Sequence, residues 1–174
     1  MKIYQPAEDS LLFVNFLKKY LTKTQNPKPK YLDMGTGSGI LAKVALKFLP
    51  SKNILAIDIN PDAIKNLQKE KFKTMQSNLF ENISKKFDLI TFNAPYLPLD
   101  KREPKSSQLA TTGGKRGDEI SLKFLEQAKQ YLNKDGKIFL LISSLTPMDK
   151  IKKFNPEIVA RKKIFMEELL ILRF

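Results

Sequence analysis

The chain has 174 residues, 42% of them hydrophobic, with no apolar run of membrane-spanning length and no apolar signal stretch in the opening "MKIYQPAEDS", so one cytoplasmic domain with its own core and no membrane attachment is expected. It holds no cysteine and no histidine, which excludes zinc sites, thiol nucleophiles, histidine bases and Ser-His-Asp triads and leaves acid–base work to carboxylates, lysine or tyrosine, unless the reaction needs no strong base. The net charge of +13 admits an anionic partner such as RNA, but of the 31 basic residues only Arg102, Arg116, Arg161 and Arg173 are arginines, and lysines dispersed over nearly every segment describe a solvated surface equally well.

Strand-like and helix-like patterns then alternate along the chain. A helix over "EDSLLFVNFLKKYL" carries its acidic residues where a helix N-terminus favours them. After the break "QNPKPK" at 25 to 30, "KYLDMG" reads as a strand, "SGILAKVALKFL" as a helix, "NILAIDI" as a strand and "PDAIKNLQKE" as a helix opened by Pro61. A short strand near "FKTMQS", the strand "FDLITF", a helix across "DEISLKFLEQAKQYL" and the strand "GKIFLLIS" follow. This succession predicts an α/β fold, a parallel sheet with helices on both faces. At the end, "PEIVARKKIF" and "EELLILRF" are joined with no room for a helix and predict an antiparallel hairpin at one sheet edge.

Two strand ends carry the candidate chemistry. "DMGTGSG" puts Gly35, Gly37 and Gly39 between the first strand and its helix, where the backbone must turn tightly and admit a ligand. Asp58 ends the second strand, 19 positions after Gly39, where an acidic side chain in such a fold reaches ribose hydroxyls. The glycine spacing is not that of a dinucleotide fingerprint. Asp33 ahead of the turn has the wrong charge for a pyrophosphate and the right one for an ammonium group. S-adenosylmethionine has an ammonium, a ribose and no phosphate; a plain tight turn beside a surface aspartate is the alternative. After the third strand, Asn78 stands ready to accept from an adenine amino group with Leu79 over the ring, or to serve as a simple turn residue.

The fourth strand ends in "NAPY". Pro95 donates no N–H and pushes Ala94 towards extended backbone, so the Ala94 carbonyl can be held facing a cleft. The Asn93 side-chain oxygen and that carbonyl could then grip both hydrogens of a planar –NH2 group, with Tyr96 over its face. Such a grip aims a weakly nucleophilic nitrogen at a methyl donor and stabilises charge developing on it, without a histidine. An ordinary Asn-x-Pro turn is the competing reading.

"LDMGTGSG", Asp58, Asn78 and "NAPY", in this order and spacing, resemble class I S-adenosylmethionine-dependent methyltransferases whose fourth strand ends in Asn-Pro-Pro-Tyr. The opening "YQPAEDSLL" and the later "GGKRGDE" make the chain similar to the HemK-type protein glutamine methyltransferases, close to their archaeal and eukaryotic release-factor branch, over nearly its whole length. The resemblance implies a Rossmann-like fold with a seven-stranded sheet, the segment 1 to 24 serving as N-terminal helix and cofactor cover. It implies N5-methylation of the glutamine in the Gly-Gly-Gln loop of a class I translation release factor. Ser10, Asp33, Gly35, Gly37, Asp58, Asn78, Leu79 and Asn93 would touch S-adenosyl-L-methionine, and Asn93, Ala94, Pro95 and Tyr96 the glutamine amide. A small zinc-binding activator subunit docked along a sheet edge is implied as well.

Two residues depart from that pattern: Ala94 replaces the first proline of the pair but keeps the carbonyl, and Asn78 stands where an acidic residue is usual, which predicts weaker cofactor binding. Residues 97 to 117 are too long for an idle connection and are expected to be a substrate loop, with Gly113 and Gly114 permitting close approach or a hinge and Lys101, Arg102, Lys115 and Arg116 meeting acidic protein or RNA. Two other functions remain open, methylation of a nucleic-acid amino group and a catalytically silent binding subunit with the same fold.

Overall fold

The computed structural model describes residues 6–26 and 28–174, so Tyr4 and Gln5 of the opening motif, the first five residues of the expected 1 to 24 cover, and Pro27 of the break at 25 to 30 lie outside the described residues. In chain order the elements are α1 (Glu8–Lys23), β1 (Tyr31–Met34), α2 (Ile40–Ala45), β2 (Ile54–Asp58), α3 (Pro61–Leu67), β3 (Lys73–Gln76) and β4 (Phe87–Asn93). The second half holds β5 (Leu97–Pro98), α4 (Lys105–Thr111), β6 (Thr112–Gly114), α5 (Glu119–Ala128), β7 (Leu132–Ser143), β8 (Glu157–Lys163) and β9 (Glu168–Arg173).

Seven strands form one sheet in the order β3-β2-β1-β4-β7-β9-β8. The first five are parallel, while β9 runs antiparallel to both β7 and β8, as the hairpin pattern at the chain end predicts. The chain moves outward from β1 to β2 and β3, then returns to the other side of β1 as β4. Loops leaving β1 and β4 therefore diverge, and a cleft opens at the carboxyl ends of those strands.

Burial on both faces explains the near-continuous apolar strands. On one face α1 and α2 bury Phe13, Leu17, Leu41 and Ala42 against Tyr31, Leu89 and Phe139. On the other, α5 buries Phe124, Leu125 and Ala128 against Leu32, Ile90 and Ile138. Within α1 the buried Phe13, Val14, Leu17 and Leu21 recur at helical spacing. Helix α3 starts as its sequence predicts, with Pro61 at the first position and the Asn60 side chain accepting from the Asp62 N–H at 3.0 Å. An ion pair between Lys162 of β8 and Glu8 ties the edge strand to α1.

Three departures from the sequence reading have local causes. Helix α2 stops at Ala45; Lys47 and Phe48 instead donate to Val44 and Ala45 in tightening turns before Pro50. Helix α5 stops at Ala128, a 3-10 turn covers Lys129–Tyr131, and β7 begins at Leu132, four residues ahead of Gly136. The segment 97 to 117 is not an open loop: β5 and β6 pair in parallel through Leu97 and Thr112, and α4 lies between them after Pro104. Helix α4 buries no residue, so it leaves no apolar periodicity to read.

Candidate functional site

The loops after β1, β2, β3 and β4, together with the first turn of α1, enclose a cleft of about 290 Å³ at the switch point. The residues expected to touch cofactor or substrate line it: Ser10 from α1, Asp33, Gly35 and Gly37 from the β1 turn, Asp58 from β2, Asn78 and Leu79 after β3, and Asn93 to Tyr96 after β4. Gly39 does not; it packs the turn on α3, where a Cβ would stand 2.6 Å from Leu67. Lys101, Arg102, Lys115 and Arg116 lie outside the lining, with Arg102 paired to Asp100 and Arg116 to Asp118 and Asp149.

Gly35 and Gly37 both adopt left-handed backbone, with φ of 60° and 53°, but for different reasons. A Cβ at Gly35 would lie 2.8 Å from Cε2 of Phe92, so the turn packs directly on β4. A Cβ at Gly37 would meet nothing within 4 Å; that position is an open shelf in the cleft wall. The Gly37 N–H donates to Oδ2 of Asp58 at 2.8 Å, and the Asn60 N–H donates to Oδ1 at 2.8 Å. The Asp58 carboxylate is thus fixed against the shelf. Burial raises its pKa, and the backbone donors of Asn60, Gly37 and Ile59 oppose the rise.

Asp33 is 1% exposed and joins three elements. Its Oδ2 accepts from Thr36 Oγ1 at 2.6 Å and from the Ala42 N–H at 3.2 Å, while Oδ1 accepts from Thr91 Oγ1 at 3.2 Å. Thr91 in turn shares a 2.6 Å bond with the buried Tyr31 hydroxyl. Burial lifts the Asp33 carboxyl from 3.8 to about 6, against the three donors and with the charge of Asp58 adding to the rise. At neutral pH it is a negative charge at the base of the cleft.

After β3, Leu79 takes a positive φ of 48°, held by Ser77 Oγ donating to its carbonyl at 2.8 Å. The Asn78 amide donates to Glu81 at 2.7 Å, and so its side-chain nitrogen is committed away from any ligand role as donor. Ser10 is buried in the first turn of α1 and donates its backbone N–H to Oδ1 of Asp9 at 2.6 Å.

At the end of β4, Asn93 Nδ2 donates to Oδ2 of Asp9 at 3.0 Å, while Asn93 Oδ1 is buried and accepts no hydrogen bond from the protein. Ala94 is 2% exposed, packed into the α5 side of the core. Tyr96 is half-buried; burial, and then the nearby Asp9 and Glu167 carboxylates, push its phenol well above the ordinary value and keep it protonated. Glu167 is itself bonded by the Ser143 hydroxyl at the β7 end.

The structure adds residues that sequence reading missed. Asp9, given no site role from the sequence, is 4% exposed and touches Asn93. Thr91 had a usable signal, since a hydroxyl inside the buried run "FDLITF" requires a partner. Leu109 and Thr111 of α4 and Ile120 and Lys123 of α5 close the cleft from the far side. Gly113 is a close-approach position, since a Cβ there would stand 2.6 Å from the Pro95 carbonyl oxygen, which seats the 97 to 117 insertion on the "NAPY" backbone.

Residues 9–166 match the family model of the methyltransferase small domain. The chain is 40% identical, over 98% of its own length and 90% of the relative's, to a protein of Methanocaldococcus jannaschii named as a candidate protein N5-glutamine methyltransferase. It is 34% identical to the release factor glutamine methyltransferase of Rhodopirellula baltica over 72% of the chain, which corresponds to 47% of that relative. Among solved structures, the ribosomal protein L11 methylase of Lactobacillus delbrueckii subsp. bulgaricus superposes with a TM-score of 0.66 at 20% identity, covering 98% of this chain and 80% of that one. The tRNA m1G37 methyltransferase of M. jannaschii gives 0.63 at 21% identity, covering 99% and 49%. Both share the Rossmann-like class I methyltransferase fold.

Proposed function

The chain belongs to the methyltransferase small-domain family, and from that premise we propose that it methylates the side-chain nitrogen of a protein glutamine, in the Gly-Gly-Gln loop of a class I translation release factor, using S-adenosyl-L-methionine. The observation that carries this reading is the buried, unpartnered Oδ1 of Asn93 at the end of β4. A buried acceptor left without a partner costs about 1–3 kcal/mol, a cost that an incoming –NH2 group removes.

The residues of the cleft fit the cofactor. The open shelf at Gly37 accepts a close-packed ligand, and Asp58 is held by backbone donors with lone pairs left for hydroxyl groups. Asp33 supplies negative charge suited to an ammonium, Leu79 and Asn78 offer an apolar surface and an amide oxygen, and Ser10 covers the cleft from α1. Bound there, S-adenosylmethionine supplies an electrophilic methyl group on a cationic sulfur.

The chain's own groups then have defined tasks. Asn93 Oδ1 and the Ala94 carbonyl accept the two hydrogens of the glutamine amide and turn its nitrogen lone pair into the cleft. Pro95 restricts Ala94 to extended backbone, and the protonated Tyr96 covers the planar amide. As positive charge develops on nitrogen, both acceptors bind its hydrogens more strongly, which favours the transition state over the bound substrate, and once the methyl group is bonded to nitrogen one of those hydrogens leaves as a proton to water. No histidine is required. The insertion with α4 forms the far wall and is the proposed substrate loop, its exposed Leu97, Leu99 and Leu109 offering apolar contact to a protein segment. An activator subunit of the small zinc-binding type belongs to the same reading, with the edges β3 and β8 open to a docking strand. A release factor as substrate also fits a cytoplasmic chain, and among the described residues no helix is long and apolar enough to cross a membrane.

Labelled methyl transfer to a release factor, to the same factor with its loop glutamine replaced by alanine, and to bulk RNA tests the proposal. Label confined to the intact glutamine supports it. Label on RNA and not on the glutamine overturns it in favour of a nucleic-acid amino group, and cofactor binding with no transfer to either, activator present, in favour of a silent binding subunit.

A further inference from the structure

We infer that Asp9 is a positioning residue for methyl transfer, its carboxylate fixing which way round the Asn93 amide faces the cleft. The inference rests on the reading of Asn93 as the acceptor for the substrate –NH2 and goes beyond it, since that reading gives Asp9 no task.

An asparagine amide has nearly the same shape when its oxygen and nitrogen are exchanged, but the two orientations are chemically opposite. With oxygen towards the cleft, Asn93 accepts from a substrate –NH2. With nitrogen towards the cleft, it presents donors to donors and repels the same group. Something outside the amide must break this degeneracy, and an ionised carboxylate does so because it can only accept.

Asp9 meets that requirement. Its Oδ2 takes the Asn93 Nδ2–H at 3.0 Å, across 84 positions of chain. Its Oδ1 takes the Ser10 N–H at 2.6 Å, one of the first-turn backbone donors that a helix leaves without an internal partner. The carboxylate is 4% exposed and so is held by the helix it sits on. With Nδ2 engaged, Oδ1 is the Asn93 side-chain atom that remains, buried and without a protein partner in a residue that lines the cleft. A purely structural charge at the start of α1 would explain the Ser10 bond but not the bond to Asn93.

Exchanging the two functional groups separates orientation from structure. In Asp9→Asn, a single amide oxygen replaces the two carboxylate oxygens that take the Ser10 N–H and the Asn93 Nδ2–H. Satisfying Ser10 turns the new amide nitrogen towards residue 93, and the Asn93 amide must flip to accept from it. In the Asp9→Asn, Asn93→Asp double variant, the amide at position 9 donates to a carboxylate whose second oxygen faces the cleft as an acceptor, so each group is again satisfied.

The experiment measures kcat and KM for release-factor methylation, cofactor affinity and thermal midpoint for wild type, Asp9→Asn, the double variant and Asn93→Ala. Asp9→Asn is expected to lower kcat about 100-fold with KM and cofactor Kd within roughly threefold, and the double variant to recover at least about tenfold over it. Asp9→Asn with kcat near wild type overturns the inference, as does a double variant no faster than the single one. If instead Asn93→Ala keeps full rate, the reading of Asn93 itself fails. Should the Asp9 variants not fold, the side-chain –NH2 resonances of Asn93 in the wild-type protein decide: slow exchange with solvent supports a nitrogen locked onto Asp9, and free exchange overturns it.

Discussion

Acidification from pH 7.5 to 5 should weaken cofactor binding while relieving a strain on the cofactor-free fold, both through Asp33. Its carboxyl titrates at about 6 because burial opposes the charge. Were binding to require the ionised form, the apparent Kd would rise by the factor 1 + 10^(6 − pH), about 11 at pH 5 and near 1 at pH 7.5, roughly a tenfold loss. The folding contribution has the opposite sign. A carboxyl raised from 3.8 to about 6 binds its proton more tightly in the folded chain, so its ionisation destabilises the fold above pH 6. That cost disappears as pH falls towards 3.8 and amounts to about 3 kcal/mol at 1.36 kcal/mol per pKa unit. Calorimetric titration with S-adenosylmethionine or its demethylated product at pH 7.5, 6 and 5 measures the first effect. Denaturant unfolding of the cofactor-free protein measures the second. Asp33→Asn should flatten the binding curve in the range around pH 6, leaving the contribution of Asp58, whose carboxyl is also raised by burial. Wild-type affinity unchanged between pH 7.5 and 5, or an Asp33→Asn variant with the wild-type slope, would refute the charge pairing.

Asn93→Ala should lower kcat by at least about 100-fold while cofactor Kd, read by calorimetry, changes little, because the lost acceptor is the one proposed to hold the reacting nitrogen. Asp58→Ala should do the reverse and weaken the cofactor by about 1–3 kcal/mol, 5- to 150-fold in Kd, with two backbone donors at Gly37 and Asn60 also left without their acceptor. Gly35→Ala and Gly37→Ala both strain a left-handed backbone by about 1 kcal/mol, but only at Gly35 does the new methyl strike Phe92. Thermal unfolding should therefore rank Gly35→Ala as the less stable, while cofactor titration should find Gly37→Ala impaired in a protein that still folds.

What could be read from the sequence was what a single strand end demands by itself. Gly35 and Gly37 announce a turn that only glycine makes, Asp58 a carboxylate at a strand terminus, and Asn93 with Pro95 an amide beside a fixed carbonyl. Chain order alone brings these to one edge of a parallel sheet. Contacts between distant elements left no such mark. Asp9 carries the same residue type that a helix start favours for its dipole, so its second partner 84 residues away was invisible. Asp33 was legible as a charge but not as the acceptor for Thr36, Ala42 and Thr91, which come from three separate stretches. The length of the 97 to 117 insertion was informative, whereas α4 was not, because "KSSQLAT" has no apolar face to betray a helix.

The chemistry of an amide substrate gives the burial of Asn93 Oδ1 a physical rationale in a chain without histidine or cysteine. An amide nitrogen loses its nucleophilicity to delocalisation, and a base strong enough to ionise it does not exist among the side chains of this chain. The remaining route is to keep the amide neutral and place acceptors where positive charge appears. Acceptors are effective for this only if water does not already occupy them, so the fold must bury at least one without a partner. A penalty of about 1–3 kcal/mol is tolerable against the usual 5–15 kcal/mol of a domain, provided that the rest of the site is tightly satisfied. That condition holds around it: Asn93 Nδ2, Asp9, Asp33, Asp58 and Thr91 all have partners within 3.2 Å, while Asn93 Oδ1, the atom proposed to meet the substrate, has none from the protein.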